Sequence, residues 1–406
     1  MNAESSSQRC ARFRAALQGA RLPCALVDLD AFDANVDTLV APARAHEKGL
    51  RIATKSVRSP ALLRAIATRA GATARGWMTY DALETRALAS DGFDDFLLAY
   101  PTMQRADVAA IASIAHENKR ICVIVDDAVQ LDSLDAAARH AETIVDVAID
   151  LDASYRPLGV LTHVGVRRSP IRDAASAVAL HAAISARKHL RLTGVMAYEA
   201  QVAGLADDAG DALKSAALGA LKSRSIVDVA RRRAEVVAAL RAHGATISIV
   251  NGGGTGSIHS SCADPSLTEV TAGSGFYCPH LFDGYRDVRL QPAAYFALQV
   301  VRAPASRMRT CHGGGLIASG AAGRDRLPVP TLPDGLTLLS LEGAGEVQTP
   351  LLLGEGVQLD VGDAVFFRHA KAGEPLEHFA EVLLVRGDRV VDRAKTYRGC
   401  GWSFLG

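Results

Sequence analysis

The chain has 406 residues, of which 49% are hydrophobic and 22% charged, with a formal net charge of +1. That length suits two domains or one barrel with an addition, and the near-neutral balance argues against nucleic acid or a membrane surface as partner. Its apolar stretches are strand-sized, far short of a spanning helix. Residues 1–14 are polar and mixed, without the apolar core of a signal peptide. The seven cysteines form no C-x-x-C pair and are odd in number, which argues against a disulfide framework and a zinc knuckle. A reducing, cytoplasmic setting is expected.

In chain order, the Arg- and Ala-rich segment 5–18 reads as a surface helix and 22–29 as a strand. Eight further strand-like runs follow at 51–55, 76–80, 95–100, 121–126, 145–150, 192–198, 246–251 and 268–273. Ala-rich amphipathic segments lie between most of them, at 60–70, 82–90, 104–116, 129–140, 169–189 and 216–243. Strands alternating with helices imply parallel pairing through crossover connections. Eight such units suggest a closed (β/α)8 barrel, with an open doubly wound sheet as the alternative. After residue 286 helical periodicity disappears. Short runs at 295–301, 335–341, 364–368 and 380–385 alternate with Gly, Pro and Asp turns, as in a mostly-β domain. The expected organisation is therefore an α/β chain in three parts. Residues 1–29 give a helix and a strand that joins the β domain, 30–285 the barrel, and 286–406 the β domain.

Chemistry in parallel barrels gathers at the carboxyl ends of the strands. Lys55 ends the first barrel strand, Thr79 the second, Asp150 and Asp152 follow the fifth, and Tyr198, Glu199 and Gln201 follow the sixth. Each alone also reads as a cap or loop residue. A desolvated lysine has a lowered pKa and a nucleophilic amine. The run Asn251-Gly252-Gly253-Gly254-Thr255-Gly256-Ser257 follows the seventh strand, and Gly273-Ser274-Gly275-Phe276-Tyr277 closes the eighth. Glycines there let backbone amides approach an anion, and barrels commonly hold phosphate at these two loops. Tight turns are the structural alternative. No Gly-Lys-Ser/Thr follows, which excludes a Walker loop, and the dinucleotide pattern is not set up either. A lysine opposite a phosphate cradle, with polar groups between, describes a pyridoxal phosphate site.

The opening Leu22-Pro23-Cys24-Ala25-Leu26-Val27-Asp28-Leu29-Asp30, with Ala34-Asn35, resembles that of the alanine racemase-type (fold type III) pyridoxal phosphate enzymes. Thr54-Lys55 with Ser59-Pro60 is similar to their Schiff-base segment. Within that group the chain looks most like the D-threonine aldolase and D-serine dehydratase family. The resemblance covers residues 22 to 280 well and the β domain loosely. It implies that Lys55 carries the cofactor and that Gly253, Gly254 and Thr255 with Gly273, Ser274, Gly275 and Tyr277 surround its phosphate. It also implies that Tyr198 and Thr79 flank the ring. A family arginine after the fifth strand is matched by Arg156, with Arg167 and Arg168 competing, because 152–164 looks like an insertion. Homodimers are common in the family.

Two positions depart from the pattern. Relatives bind a divalent metal through a histidine followed two positions later by cysteine or aspartate; here His369 is followed by Lys371, so the second ligand is missing. Aldolases carry a histidine base after the strand-six tyrosine, where this chain has Glu199, which could serve as a base or be an ordinary loop carboxylate. The resemblance implies a lyase acting on a small β-hydroxy D-amino acid, by aldol cleavage or by dehydration. A racemase, a non-catalytic pyridoxal phosphate carrier and a phosphate-binding barrel without pyridoxal chemistry are the alternatives.

Overall fold

The computed structural model describes residues 4–208 and 210–405. Helix α1 (Ser6–Ala16) starts from a capping box in which the Ser5 hydroxyl accepts from the Gln8 amide. Strand β1 (Cys24–Asp28) leads directly into α2 (Leu29–Ala45), whose N-cap Asp28 accepts from the Asp30 amide.

Eight parallel strands then close on themselves: β2 (Gly49–Ala53), β3 (Ala74–Thr79), β4 (Phe96–Leu98), β5 (Ile121–Val125), β6 (Val145–Asp150), β7 (Leu190–Ala197), β8 (Ile249–Gly252) and β9 (Glu269–Ala272). The seam is the pairing of β9 with β2, with Gly49 opposite Glu269. The connecting helices are α3 (Pro60–Ala70), α4 (Ala82–Ser90), α5 (Arg105–His116), α6 (Val129–His140), α7 (Ala174–Ser185), α8 (Ala200–Ala203), α9 (Ala212–Ala242) and α10 (Ile258–Ala263). Alternation along the strands separates two cores. Leu97, Cys122, Ile124, Ala148 and Met196 fill the barrel interior, while Ile121, Val123 and Val125 face the helix ring. The expected closed barrel is what forms.

The helix expected over 169–189 is shorter. Asp173 caps α7 by accepting from the Ser176 amide, and the residues before it bond elsewhere, with the Asp152 amide donating to the Ile171 carbonyl. The segment after β6 folds back through a bridge between Tyr155 and Val164.

Beyond the barrel come β10 (Ala294–Ala305), β11 (Met308–His312), β12 (Val329–Leu332), β13 (Leu336–Leu338), β14 (Gln348–Leu353), β15 (Ala364–Arg368), β16 (Glu381–Arg386) and β17 (Arg389–Lys395). Their sheet runs β13-β14-β11-β10-β1-β16-β17, with β15 bonded to both β10 and β12. As expected, the strand from before the barrel joins it: β1 pairs antiparallel with β10 and parallel with β16. Phe13 of α1 packs against Tyr295 and Phe366, so α1 covers this sheet. Among the described residues no helix is long and apolar enough to cross a membrane.

Candidate active site

Lys55 sits in a 3₁₀ turn, Thr54–Ser56, at the carboxyl end of β2. The turn is held by the Thr54 hydroxyl donating to the Met78 carbonyl (3.0 Å) and by the Tyr277 hydroxyl donating to the Val57 carbonyl (2.8 Å). Solvent reaches the Lys55 side chain, yet protein crowds its amine, so the amine stands on the floor of an open recess. No described residue forms a hydrogen bond or ion pair with that amine. Desolvation lowers its pKa, and the charges of Arg168, Lys371 and Arg58 lower it further against one opposing carboxylate, Glu374. More of the nucleophilic free amine is therefore present at a given pH than for a surface lysine.

The two glycine loops meet beside this turn. An ideal Cβ on Gly273 would stand 2.6 Å from Ser56 Oγ and 2.8 Å from Ala53 Cβ, so only glycine lets the β9 loop lie against the lysine turn. Thr255 ties the loops together: its Oγ1 accepts from the amides of Gly275 (3.1 Å) and Gly273 (3.5 Å). Each loop opens a 3₁₀ turn, Thr255–Ser257 and Ser274–Phe276; the Gly275 amide is taken by Thr255, which leaves the amides of Thr255, Gly256 and Ser274 with no carbonyl behind them within the turns. That is the arrangement an anion seeks. Gly253 is held at φ +84°. The Tyr198 ring lies over Gly254, where a Cβ would come 3.3 Å from its Cε2. Crowding and the charge of Glu199 push the Tyr198 hydroxyl up, so it stays a neutral phenol.

Other expected residues are placed differently. Glu199 is buried beneath the first glycine loop, accepting from the Gly253 amide (3.1 Å) and the Ser261 hydroxyl (2.7 Å) and pairing with Arg233 (3.3 Å). Thr79 is fully buried and its hydroxyl accepts from Thr85 (2.7 Å). Arg156 bonds within its own loop, to Asp152 (2.7 Å) and Ser154 (3.1 Å). The arginine whose charge reaches both Lys55 and Tyr198 is Arg168, anchored by Asp150 (3.1 Å) and the Ala99 carbonyl (3.1 Å). Burial holds the Asp150 carboxyl up at about 6 despite that arginine.

The β domain supplies a wall that sequence reading did not resolve. Gly373 (φ +75°) lies so close to the lysine turn that a Cβ would stand 2.0 Å from the Lys55 carbonyl oxygen. The Tyr397 amide donates to the Arg58 carbonyl (2.9 Å), and the Tyr397 hydroxyl donates to the buried Glu84 (2.8 Å). Glu84 also accepts from the Tyr80 amide (3.0 Å), and burial pushes its carboxyl up to about 7. His369 is buried with its ring edge toward Tyr277. Burial and the Arg368 charge push it down to about 3, so it is neutral.

A nucleophilic amine on the recess floor, linked glycine loops beside it and an enclosed phenol fit an aldehyde cofactor carrying a phosphate. Residues 27–280 match the family described as alanine racemase, N-terminal domain, and the chain belongs to that family. Over 254 residues it is 26% identical to a 3-hydroxy-D-aspartate aldolase of Paracoccus denitrificans (strain Pd 1222), covering 62% of this chain and 59% of that protein. The chain thus spans about three fifths of the length of that curated relative. A D-threonine aldolase from Filomicrobium marinum superposes with TM-score 0.79 at 22% identity, covering 95% of this chain and 97% of the other. A D-threo-3-hydroxyaspartate dehydratase from Delftia sp. HT23 does so with TM-score 0.71 at 20% identity, covering 94% and 98%. These two likenesses show the shared two-part fold.

Proposed function

We propose that this member of the alanine racemase N-terminal domain family is a pyridoxal phosphate-dependent lyase acting on a small β-hydroxy D-amino acid. The bond broken is Cα–Cβ in an aldol cleavage, or Cβ–O in a dehydration with loss of ammonia. The observation that carries the reading is the Lys55 amine, without a hydrogen bond or ion pair to any described residue, in a turn that lies against the linked glycine loops. The relatives act in the same class, as their names, 3-hydroxy-D-aspartate aldolase and D-threonine aldolase, state.

When bound, pyridoxal phosphate supplies an electron sink for the substrate α-carbon. The chain's own residues do the rest. Lys55 Nζ would hold the cofactor and would exchange a proton at the reacting centre. The loop amides around Thr255 and Ser274 hold the phosphate and supply binding energy remote from the bond that breaks. Tyr198 and Arg168 would help to orient the cofactor. Glu199, with its oxygens occupied by Gly253, Ser261 and Arg233, shapes the first loop in this reading rather than moving a proton.

The test is cofactor loading followed by product analysis. The purified protein should show the visible absorbance of lysine-bound pyridoxal phosphate, and D-threonine should yield glycine and acetaldehyde, or D-serine pyruvate and ammonia. Inversion of a D-amino acid without either product would favour the racemase alternative. A chain that takes up no cofactor would end the reading.

A further inference from the structure

The resemblance implies a divalent ion held by a histidine and by a cysteine or aspartate two positions later. A cysteine variant of a D-threo-3-hydroxyaspartate dehydratase of this fold is described as metal-free, in keeping with a metal in the parent. The side chains here do not fit one. Position 371 carries an ammonium, which has three donors and no lone pair. Both Glu374 oxygens are taken by Ser319, its amide and its hydroxyl each donating at 2.7 Å. His369 shares one ring nitrogen with the Ala294 backbone and has an enclosed, unpartnered Nε2. A single imidazole nitrogen, without the thiolate or carboxylate that completes the pair in relatives, does not hold a resident divalent ion, and no group of three His, Cys, Asp or Glu side chains that could hold one stands among the described residues.

What stands there instead is a pair of cations. Gly320, at φ +117°, lies between them: a Cβ on it would be 3.4 Å from Lys371 Nζ and 3.2 Å from Arg326 Nε. Lys371 forms no hydrogen bond or ion pair with any described residue. Arg326 pairs on one side with Asp325 (3.3 Å), while its Nε is enclosed without an acceptor. Lys371 also lines a small cavity of about 60 Å³ with Leu316, His369, Glu374 and His378, the last two being the side chains that could have stood in for the missing ligand. Two residues on from Lys371, Gly373 lies against the Lys55 carbonyl, so this corner adjoins the lysine turn. Like charges gathered in a partly desolvated corner repel, and an anion relieves them.

We propose that Lys371 and Arg326 form a fixed-cation subsite that binds a carboxylate on the substrate's side chain, where metal-dependent relatives hold a divalent ion. The proposal rests on the preceding reading and narrows its substrate to an anionic β-hydroxy amino acid handled without a resident metal.

Two measurements decide it. In the first, the cofactor-loaded protein is titrated with D-aspartate and with D-alanine, reading the change in cofactor absorbance. Lys371→Met should weaken D-aspartate by about tenfold or more, the size of one charge-assisted contact, and leave D-alanine unchanged. Arg326→Gln repeats this arm should Lys371→Met not fold. In the second, chelator-washed protein is exposed to Zn²⁺, desalted and assayed for metal. Wild type should retain almost none, whereas Lys371→Cys should retain about one equivalent, because a thiolate restores a ligand beside His369. A wild-type protein holding one equivalent that His369→Ala releases would overturn the proposal. So would an effect of Lys371→Met that is the same for both amino acids. Failure to take up cofactor at all counts against the preceding reading, and the metal measurement, which needs no cofactor, then decides this one alone.

Discussion

Arg51, in the middle of β2, and Lys55, in the turn that follows it, are cations four residues apart, and their surroundings differ in one respect. Arg51 is 1% exposed and answered on every side: Glu269 accepts from its Nε (2.6 Å) and Nη2 (2.8 Å), and Asp95 accepts from both terminal nitrogens (3.1 Å each). Asn251 completes the cluster by donating to Glu269 (2.8 Å). Those carboxylates outweigh the desolvation that pulls the guanidinium down, and its pKa ends up raised. Lys55 meets three cations and one carboxylate, and its pKa ends up lowered. A closed, fully answered charge fixes the barrel; a charge left unanswered in a recess is available for chemistry.

The comparison breaks most decisively at Lys55. Lys55→Ala should abolish the absorbance of bound cofactor and lower turnover by about a thousandfold or more. The thermal midpoint should stay near that of cofactor-free wild type, because the amine makes no structural bond. A large loss of stability would place Lys55 in the same class as Arg51.

Glu269→Gln is the converse. It leaves Arg51 buried beside a neutral amide and should cost about 3–5 kcal/mol in denaturant unfolding, as breaking buried pairs does. The residual folded protein should still take up cofactor.

A smaller effect separates the two arginines. Arg168→Ala should weaken cofactor binding or turnover by about ten- to a hundredfold, since it removes a charge that reaches Lys55 and Tyr198. Arg156→Ala should change turnover by less than about threefold and act on the stability of its loop. Equal effects in a steady-state assay would show that the 152–172 loop works as one unit.

An effect confined to stability, with none expected on turnover, lies at Glu84, a buried carboxyl beside the lysine turn. Its pKa rises from 4.5 to about 7 on folding, so the folded state holds the proton more tightly. Its contribution to stability is complete below pH 4.5 and is lost as pH rises through about 7. Glu84→Gln should therefore flatten stability across that window, by about 1–3 kcal/mol, in urea midpoints taken at its two ends. An unchanged pH profile would mean that Tyr397 and Tyr80 hold Glu84 ionised.

Much of this was legible in the sequence. The eight β-branched runs and their Ala-rich partners carry the barrel by period alone, and the glycines at 253, 254, 273 and 275 announce close backbone approach. Lys55 was legible because a basic side chain ending an apolar strand is costly without a reason. The partners of Arg51 were not, because Glu269 is 218 residues away and Asp95 44. The insertion at 152–164 left Arg156, Arg167 and Arg168 competing for one place; the chain folds back at the Tyr155–Val164 bridge, with Arg156 bonded within its own loop and Arg168 to Asp150. Glu84 reads locally as an ordinary first-turn residue of α4. Its partner Tyr397 lies 313 residues on, a pairing no local pattern encodes.

The pairing of β1 has a consequence in time. β1 is synthesised early, but Ala297, opposite Cys24, and Val382, opposite Ala25, belong to strands made after the whole barrel. On the ribosome, Lys55 and both glycine loops exist before Gly373 and Tyr397, the residues that press against the lysine turn. The nascent barrel thus presents its reactive amine without its wall, and β1 waits unpaired until the last third of the chain emerges. Folding of this molecule ends where its chemistry begins, with β1 captured between β10 and β16 and the β domain set against the lysine turn.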